Sequence, residues 1–542
     1  MNRALGLGIA LAVAAVAFDP LVPSALVKAP LLVVVLLAAL CFVGRDLVHS
    51  SALALALGLL AWLGLGLTWC RTPEPTMLAP WLVLVLALAV GGGLADEERR
   101  VASCAFAVSF PLALAALVAI EALRRGPIHG GFGHGNALGL AVLPCAPIAV
   151  ERLGAALLPG VSRRARAIGP PAAALVSALL VLACSESRTA WVALVFAGVV
   201  ALAARRPRAL WLAVPLILVG GLVLARSGGA HALEGRRWIA RASLRALIEV
   251  APFGAGTGGF SRAFLEGQAK ELAALAPRDA ATAFVNARTP HGDALGLAVV
   301  GGVVGVALAA AFVLVAARGR TPGELASLGV VLVAGLGDDV LVTPVVALTI
   351  GLTTAARPLP FARRLHTLAL VAILLASALL LPTFVRRYGS QRMLHEAERA
   401  SARLDDPRPL LLRARRIDPT DGEVALGLGL AHLVEREPER ALAPLEVARA
   451  RFADVGASVA LGNAEMALDR PRSAVAAYRE ALRLDPGSFR ARANLVEALR
   501  SVGALEEARA ELAIARTLQP HHSKLEAIAE RLRRSAIDDG AR

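Results

Sequence analysis

Aromatic residues make up only 4% and charged residues only 18% of this 542-residue chain. A soluble enzyme carries about a quarter charged residues, so the shortage excludes that profile. Metal-site spacing is missing as well. No H-x-x-x-H, H-E-x-x-H or D-x-D pair occurs, which leaves His129, His134, His291, Asp293, Asp338 and Asp339 able to hold a metal only by gathering from separate segments. The five cysteines, at 41, 70, 104, 145 and 184, lie in or at the ends of apolar runs without a C-x-x-C pair. They read as small core residues and say nothing about redox compartment. The run "GAGTGG" at 254–259 lacks the lysine of a nucleotide P-loop and follows no strand, so it is not one.

What fills the chain instead is apolar, at 57% hydrophobic residues and a mean hydropathy of +0.64. Apolar runs fall at roughly 4–18, 29–44, 51–69, 78–94, 101–121, 136–150, 171–184, 189–204, 209–225, 293–317, 323–336, 340–356 and 365–384. Measured against the ~20 residues that a bilayer core requires, these predict an all-α, polytopic membrane domain over residues 1–388, with about 12–13 spans and the lipid bilayer as its solvent. The first run starts like a secretory signal. No small-x-small site followed by a polar segment appears, so it reads as the first span. Several runs are short, and the pair flanking Gly337-Asp338-Asp339 is compatible with one re-entrant feature.

The net charge of +15 sits largely in clusters between apolar runs, at 96–100, 162–167, 205–208, 318–320 and 357–364. Such clusters mark cytoplasmic loops rather than a nucleic-acid surface. With the N-terminus inside, the short inner segments carry sixteen arginines and the short outer loops five basic residues. Long loops obey this rule poorly, so the loop at about 226–292 stands outside the comparison. An odd span count then puts the C-terminus outside.

From about residue 389 the composition changes to charged, Ala- and Leu-rich helix. Pro486 and Pro520 lie thirty-four residues apart, as do Ala474 and Ala508, and Ala481 and Ala515. An earlier unit reads Gly429, Ala441, Ala448, one residue out of step. This period, with small residues where two helices approach, resembles the tetratricopeptide repeat. About three repeats span 419–520, with a capping helix near 522–534. Such an α-solenoid implies a protein partner; the bland alternative is a spacer.

Four polar constellations interrupt the outer face of the membrane domain: "GGFGHGNALG" at 130–139, "SESRTAW" at 185–191, the loop 234–260, and "ARTPHGDALG" at 287–296. Arg188 heads an apolar span and asks for an anionic partner, because an unpaired charge at membrane depth is costly. In "RRWIARASLRALIEVAP", Trp238, Ala242, Leu244, Ala246, Leu247 and Val250 alternate with Arg237, Arg241 and Arg245, the pattern of an amphipathic helix lying at the membrane surface. The glycines that follow allow close approach to a ligand. Arginine forks match phosphate oxygens and keep their charge, which favours them over a metal for an anionic leaving group.

In chain order, these pieces resemble the O-antigen ligase and polymerase superfamily, in particular members with a C-terminal tetratricopeptide domain. "GFGHGN" is similar to its glycine-phenylalanine-x-asparagine-proline-asparagine turn, with Asn136 matching and His134 and Gly135 replacing the asparagine and proline. Ser187-Arg188-Thr189 corresponds to a serine-arginine-glycine step. Arg237, Pro252, Gly254 and Gly256 correspond to an arginine fifteen residues before a proline and a glycine-x-glycine, with Arg241 where an aromatic is usual. His291-Gly292-Asp293 through Gly302 and Gly305 aligns with the histidine-asparagine-aspartate pattern, Gly292 replacing the asparagine and Val300 a glutamate. Asp339 and Pro344 add the late aspartate and proline.

The resemblance implies metal-independent glycan transfer, without cofactor, on the outer face of a bacterial inner membrane, in polysaccharide or lipopolysaccharide biosynthesis. The donor would be a polyprenyl-diphosphate-linked saccharide and the acceptor a sugar or protein hydroxyl. Arg188 and Arg237 would stabilise the departing diphosphate, His291 would take the acceptor proton, and Asp293 would orient it; Asn136, Arg241 and Asp339 would bind substrate. A transporter of an anionic solute and a non-catalytic assembly protein remain the alternatives.

Overall fold

The computed structural model describes residues 2–16, 24–43, 50–123, 135–157, 164–185, 187–195, 229–287, 292–336, 338–340, 343–354, 362–452 and 454–540. Among the described residues the regular structure is helical, with no β-strand. The first half runs α1 (Asn2–Val16), α2 (Ser24–Val43), α3 (Ser51–Leu65), α4 (Ala79–Gly93), α5 (Asp96–Leu123), α6 (Gly135–Val142), α7 (Cys145–Ala156), α8 (Arg164–Cys184) and α9 (188–195). It continues through α10 (Gly229–Val250), α11 (Phe260–Leu272), α12 (Pro277–Ala283), α13 (Asp293–Ala316), α14 (Pro322–Ala334), α15 (Pro344–Thr353) and α16 (Ala362–Ala402). The expected run 209–225 and the second half of 189–204 lie outside the described residues. The described parts of the other expected runs fall mainly on helices.

Among the described residues, seven helical segments are long and apolar enough to cross a membrane: Ser51–Thr68, Pro75–Gly93, Asp96–Leu123, Ala137–Ala156, Ala167–Cys184, Asp293–Ala316 and Thr367–Ala402. Helix α4 is buried on nearly every side, which explains why its sequence, "APWLVLVLALAVGGG", is apolar all round rather than striped. It packs between α2 and α15, the latter buried along its whole length.

Helices α14 and α15 have 13 and 10 residues. At 1.5 Å per residue they extend about 20 and 15 Å, well short of a bilayer core. The start of α14 and the end of α15 meet at Arg320, which donates to Thr353 Oγ1 and Thr354 Oγ1, both at 2.6 Å, and to the carbonyls of Ile350, Ala316 and Glu324. Pro322 and the Thr321/Glu324 capping box start α14 there. Two half-length helices pinned at one end, with Asp338 and Asp339 between them at the other, form a hairpin, and α13 begins beside Gly335 and Val340 at that end.

Helix α13 is broken. Gly302 has φ +60°, and the carbonyls of Val299 and Val300, freed from the helical ladder, accept from the backbone N–H of Ala255 (2.7 Å) and Gly256 (3.0 Å), while Val303 N–H donates to Pro252 O. The glycine run thus completes the hydrogen bonding of a helix in another part of the chain.

The second half contains α17 (Arg408–Ile417), α18 (Gly422–Val434), α19 (Pro438–Arg451), α20 (Val455–Ala467), α21 (Pro471–Leu484), α22 (Phe489–Ser501), α23 (Leu505–Leu518) and α24 (Ser523–Gly540). The three expected repeats are the pairs α18/α19, α20/α21 and α22/α23, and α24 is the expected cap. Ala441, Ala448, Ala474, Ala481, Ala508 and Ala515 are fully buried. A fourth pair precedes them. The turns within the pairs place Leu404, Arg436, Asp469 and Gly503 at positive φ. The next residue of each turn (405, 437, 470, 504) donates its N–H to the carbonyl five residues back, at 400, 432, 465 and 499, the bond of a Schellman ending. Leu404 therefore marks the C-terminal part of α16 paired with α17, where Leu394 and Ala397 pack against Leu411, Ala414, Val424 and Leu428. The expected domain boundary at 388/389 falls inside the continuous helix α16. Apolar composition ends near it, but the helical backbone does not.

Candidate functional site

The site is best built from the tip of the α14/α15 hairpin. Asp293 N–H donates to Gly335 O at 2.8 Å, and an Asp293 carboxylate oxygen accepts from Val340 N–H at 3.2 Å. Asp339 Oδ1 accepts from Gly292 N–H at 3.1 Å, and Asp338 Oδ1 accepts from Asp339 N–H. The Asp339 carboxylate thus binds a backbone amide at the start of α13, where the helix dipole favours negative charge, whereas Asp293 and Asp338 bind amides of residues 339–340. Asp339, expected to bind substrate, holds the backbone of the residue after His291. Asp293, expected to orient that imidazole, ties α13 to the hairpin. Gly335 is needed for this, since a Cβ there would come within 2.6 Å of Asp293 Oδ2.

Arginine enters from α10. Arg236 Nη2 lies 4.0 Å from Asp338 Oδ2, which is buried. Sequence reasoning chose its neighbours Arg237 and Arg241. Both are exposed on α10, and only a helical register relative to α13, which no local pattern carries, distinguishes Arg236 from them. The helix itself differs from expectation. Its buried face is Ile239, Ala242, Ser243 and Ala246, packed on Phe260, Ala263 and Phe264 of α11, and Trp238 Nε1 donates to Gln268 Oε1 at 3.1 Å. Leu244, expected on the apolar face, is exposed together with Ile248. A partner helix in the same loop takes the apolar stripe that was assigned to the membrane surface. Arg237, Arg241, Leu244 and Ile248 face outward.

The "GAGTGG" segment also serves a purpose other than the expected one. A Cβ on Gly254 would enter the Val300 and Gly302 backbone, on Gly256 the Gly66 carbonyl and Cys70, and on Gly258 the Thr72 and Glu74 backbone. The close approach is to the chain itself rather than to a ligand. Trp62 Nε1 donates to Gly301 O at 2.7 Å, Trp69 Nε1 to Gly254 O at 3.2 Å, and Thr257 Oγ1 to Leu63 O at 2.6 Å, so the end of α3 completes this junction.

Two other constellations also meet. A Cβ on Gly139 would come within 2.5 Å of Ser185 Oγ and 2.8 Å of Ser187 Cβ, so the 135–142 helix lies directly on the "SES" step. That helix also touches α15. Arg188 stands exposed one residue beyond. His129, His134 and His291 lie outside the described residues, as does the side chain of Asn136. Among the described residues, no group of three or more His, Cys, Asp or Glu side chains is placed to hold a metal ion.

The repeats sit at this end of the bundle. Arg387 of α16 donates to Glu74 Oε2 (2.6 Å) and Asp418 Oδ2 (2.7 Å) and lies 3.6 Å from Asp421 Oδ2, with only 11% of its side chain exposed. Arg262 of α11 pairs with Glu480, and Asn286 donates to Asp454 Oδ2 at 3.2 Å. Leu265 and Phe284 join Val455, Ala481, Leu484 and Ala491 in one apolar cluster.

The tetratricopeptide repeat family profile matches residues 465–532. This part of the chain is a tetratricopeptide repeat region. Among solved structures the chain is similar to YrrB, described as a TPR protein with an unusual peptide-binding site, at 19% identity over 27% of this chain and 86% of that one, with a TM-score of 0.24. No curated protein matches the chain.

Proposed function

We propose that the chain is a membrane glycan transferase of the O-antigen ligase and polymerase kind, its helix bundle spanning a bacterial inner membrane and its repeats and α10–α12 on the outer side. The observation that carries the reading is the convergence of the quoted segments. Gly139 rests on Ser185 and Ser187, Gly254 on the break in α13, and Gly292 on Asp339. Each of these contacts joins two of the quoted segments that lie about fifty residues apart in the chain.

In this reading an acceptor hydroxyl oxygen bonds to the anomeric carbon of the donor sugar as the bond from that carbon to the diphosphate oxygen breaks. His291 takes the hydroxyl proton. Arg188, Arg237 and Arg241 face the departing diphosphate, whose growing charge their fixed guanidinium groups stabilise. Asp339 and Asp293 act as positioning residues, fixing the backbone beside His291. A diphosphate is a good leaving group, so orientation and electrostatics supply most of the acceleration.

A second reading has its own observation. A broken helix beside two half-length helices is the architecture from which transporters build a substrate site. One experiment separates the two. Purified protein in nanodiscs is given a polyprenyl-diphosphate oligosaccharide and a hydroxyl acceptor, with and without EDTA. Release of polyprenyl diphosphate in step with glycosylated acceptor, unaffected by EDTA, is expected. Intact donor, together with anion uptake by proteoliposomes, would favour the transporter.

The repeat region implies a protein partner.

A further inference from the structure

A groove in the repeats, with a volume of about 880 Å³, is not built from repeats alone. Its floor runs from Leu426 and Leu430 on α18, past Val459 and Asn463 on α20, to Asn494 on α22. Its far end carries Arg490, His522 and Lys524. One wall consists of Phe284 and Asn286, which belong to the segment between α12 and α13. That segment is fixed in place. A Cβ on Gly487 would overlap the backbone of Ala281, Asn286 is bonded to Asp454, and Phe284 packs in the apolar cluster with Leu484.

Leu430 on α18 is 44% exposed, and toward α22 the basic groups Arg490 and Lys524 line the groove together with the carboxyl of Asp485. Between them Asn463 Oδ1 accepts from Tyr478 Oη and Asn494 Nδ2, both at 2.8 Å, and Lys524 Nζ donates to Asn494 Oδ1 at 2.7 Å. This chain fixes the two amides side by side along the floor, with donors and acceptors of the same kind as a peptide group. Lys524 keeps further N–H donors for an anion.

We propose that this groove seats an extended segment of a partner polypeptide, with an apolar side chain against Leu426 and Leu430 and a carboxylate at Arg490 and Lys524, and that Phe284 and Asn286 form part of the contact. The partner is therefore gripped jointly by the repeats and by the loop that leads, six residues after Asn286, to Gly292. The proposal does not depend on glycan transfer.

The probe is a library of random dodecapeptides selected on the purified full-length chain, with the affinity of a recovered, labelled peptide then measured by fluorescence anisotropy. Recovered peptides are expected to carry an apolar residue and an acidic residue or free terminal carboxylate. Affinity should fall about tenfold or more on combining Arg490→Glu with Lys524→Glu, and at least about threefold on combining Phe284→Ala with Asn286→Ala, as for buried contacts at an interface centre. Arg413→Glu, an exposed charge outside the groove, should change nothing. If a double variant loses its melting transition, Asn463→Asp replaces it, with the same loss expected from a like charge beside the carboxylate. Failure to recover any peptide, preference for basic peptides, or binding indifferent to Phe284 and Asn286 would overturn the proposal.

Discussion

Small residues mark the closest contacts in both halves of the molecule, and the two halves space them differently. In the repeats Ala474 and Ala508, or Ala481 and Ala515, recur every thirty-four residues, because each meets the same neighbour in the next copy of one unit. In the bundle Gly254, Gly256 and Gly302 hold together segments from 66 to 302 and recur nowhere. A solenoid contact is a local matter between adjacent units, whereas the bundle junction is a single event between distant ones. A period is therefore readable from the sequence alone, and a junction is not.

The largest effect is expected at the junction. Gly302→Ala would place a Cβ against Pro252 O and Phe253 in a left-handed backbone conformation. Strain and overpacking together should cost about 3 kcal/mol or more, read as loss of folded protein in detergent by thermal melting. Ala474→Gly in the repeats, where the contact is one of a series, should cost only about 1 kcal/mol. Equal losses would erase the contrast between the halves.

Next comes the contact between the halves. Arg387→Ala would leave Glu74, Asp418 and Asp421 without their shared cation. Breaking such a buried pair costs about 3–5 kcal/mol at most, and the loss should appear as separation of the melting transitions of bundle and repeats. A single, unshifted transition would mean that the halves are not coupled through Arg387.

How far the sequence could be read follows the same division. The repeat period and the cap were legible, but the fourth pair was not, because α16 enters it directly from an apolar segment and Leu404 stands where the last turn has Gly503. In the bundle, hydropathy located the helices and the Asp338-Asp339 turn. It could not show that Leu244 faces outward, because the competing surface is α11, twenty residues on. Arg237 was chosen by the family resemblance and Arg241 as an arginine of the same amphipathic helix, but approach to Asp338 depends on helix rotation, which selects Arg236.

Smaller effects sharpen the picture on each side. Asp339→Ala removes the acceptor for Gly292 N–H at the start of α13 and should cost about 0.5–2 kcal/mol, as for loss of a helix cap, measured by urea titration in detergent. In the repeats, burial pushes the Asp485 carboxyl up to about 6, against the opposing influence of Gly487 N–H and Arg492. Its folded value is thus above the unfolded one. Its contribution to stability is fully present below the unfolded pKa of about 4 and is lost as pH rises through about 6. Asp485→Asn should therefore flatten the fall in melting temperature between about pH 4 and 7. An unchanged profile would show that Asp485 stays ionised throughout.

The functional account is tested most directly by transfer from a polyprenyl-diphosphate donor at matched protein levels in wild type, His291→Ala and Arg188→Lys. A positioned base contributes about 10²–10⁴ in rate, so His291→Ala should lose turnover by that factor while still binding donor. Arg188→Lys should also be damaging, because an ammonium cannot present a planar fork to two phosphate oxygens. Near-normal release of polyprenyl diphosphate by both variants would contradict the proposed mechanism.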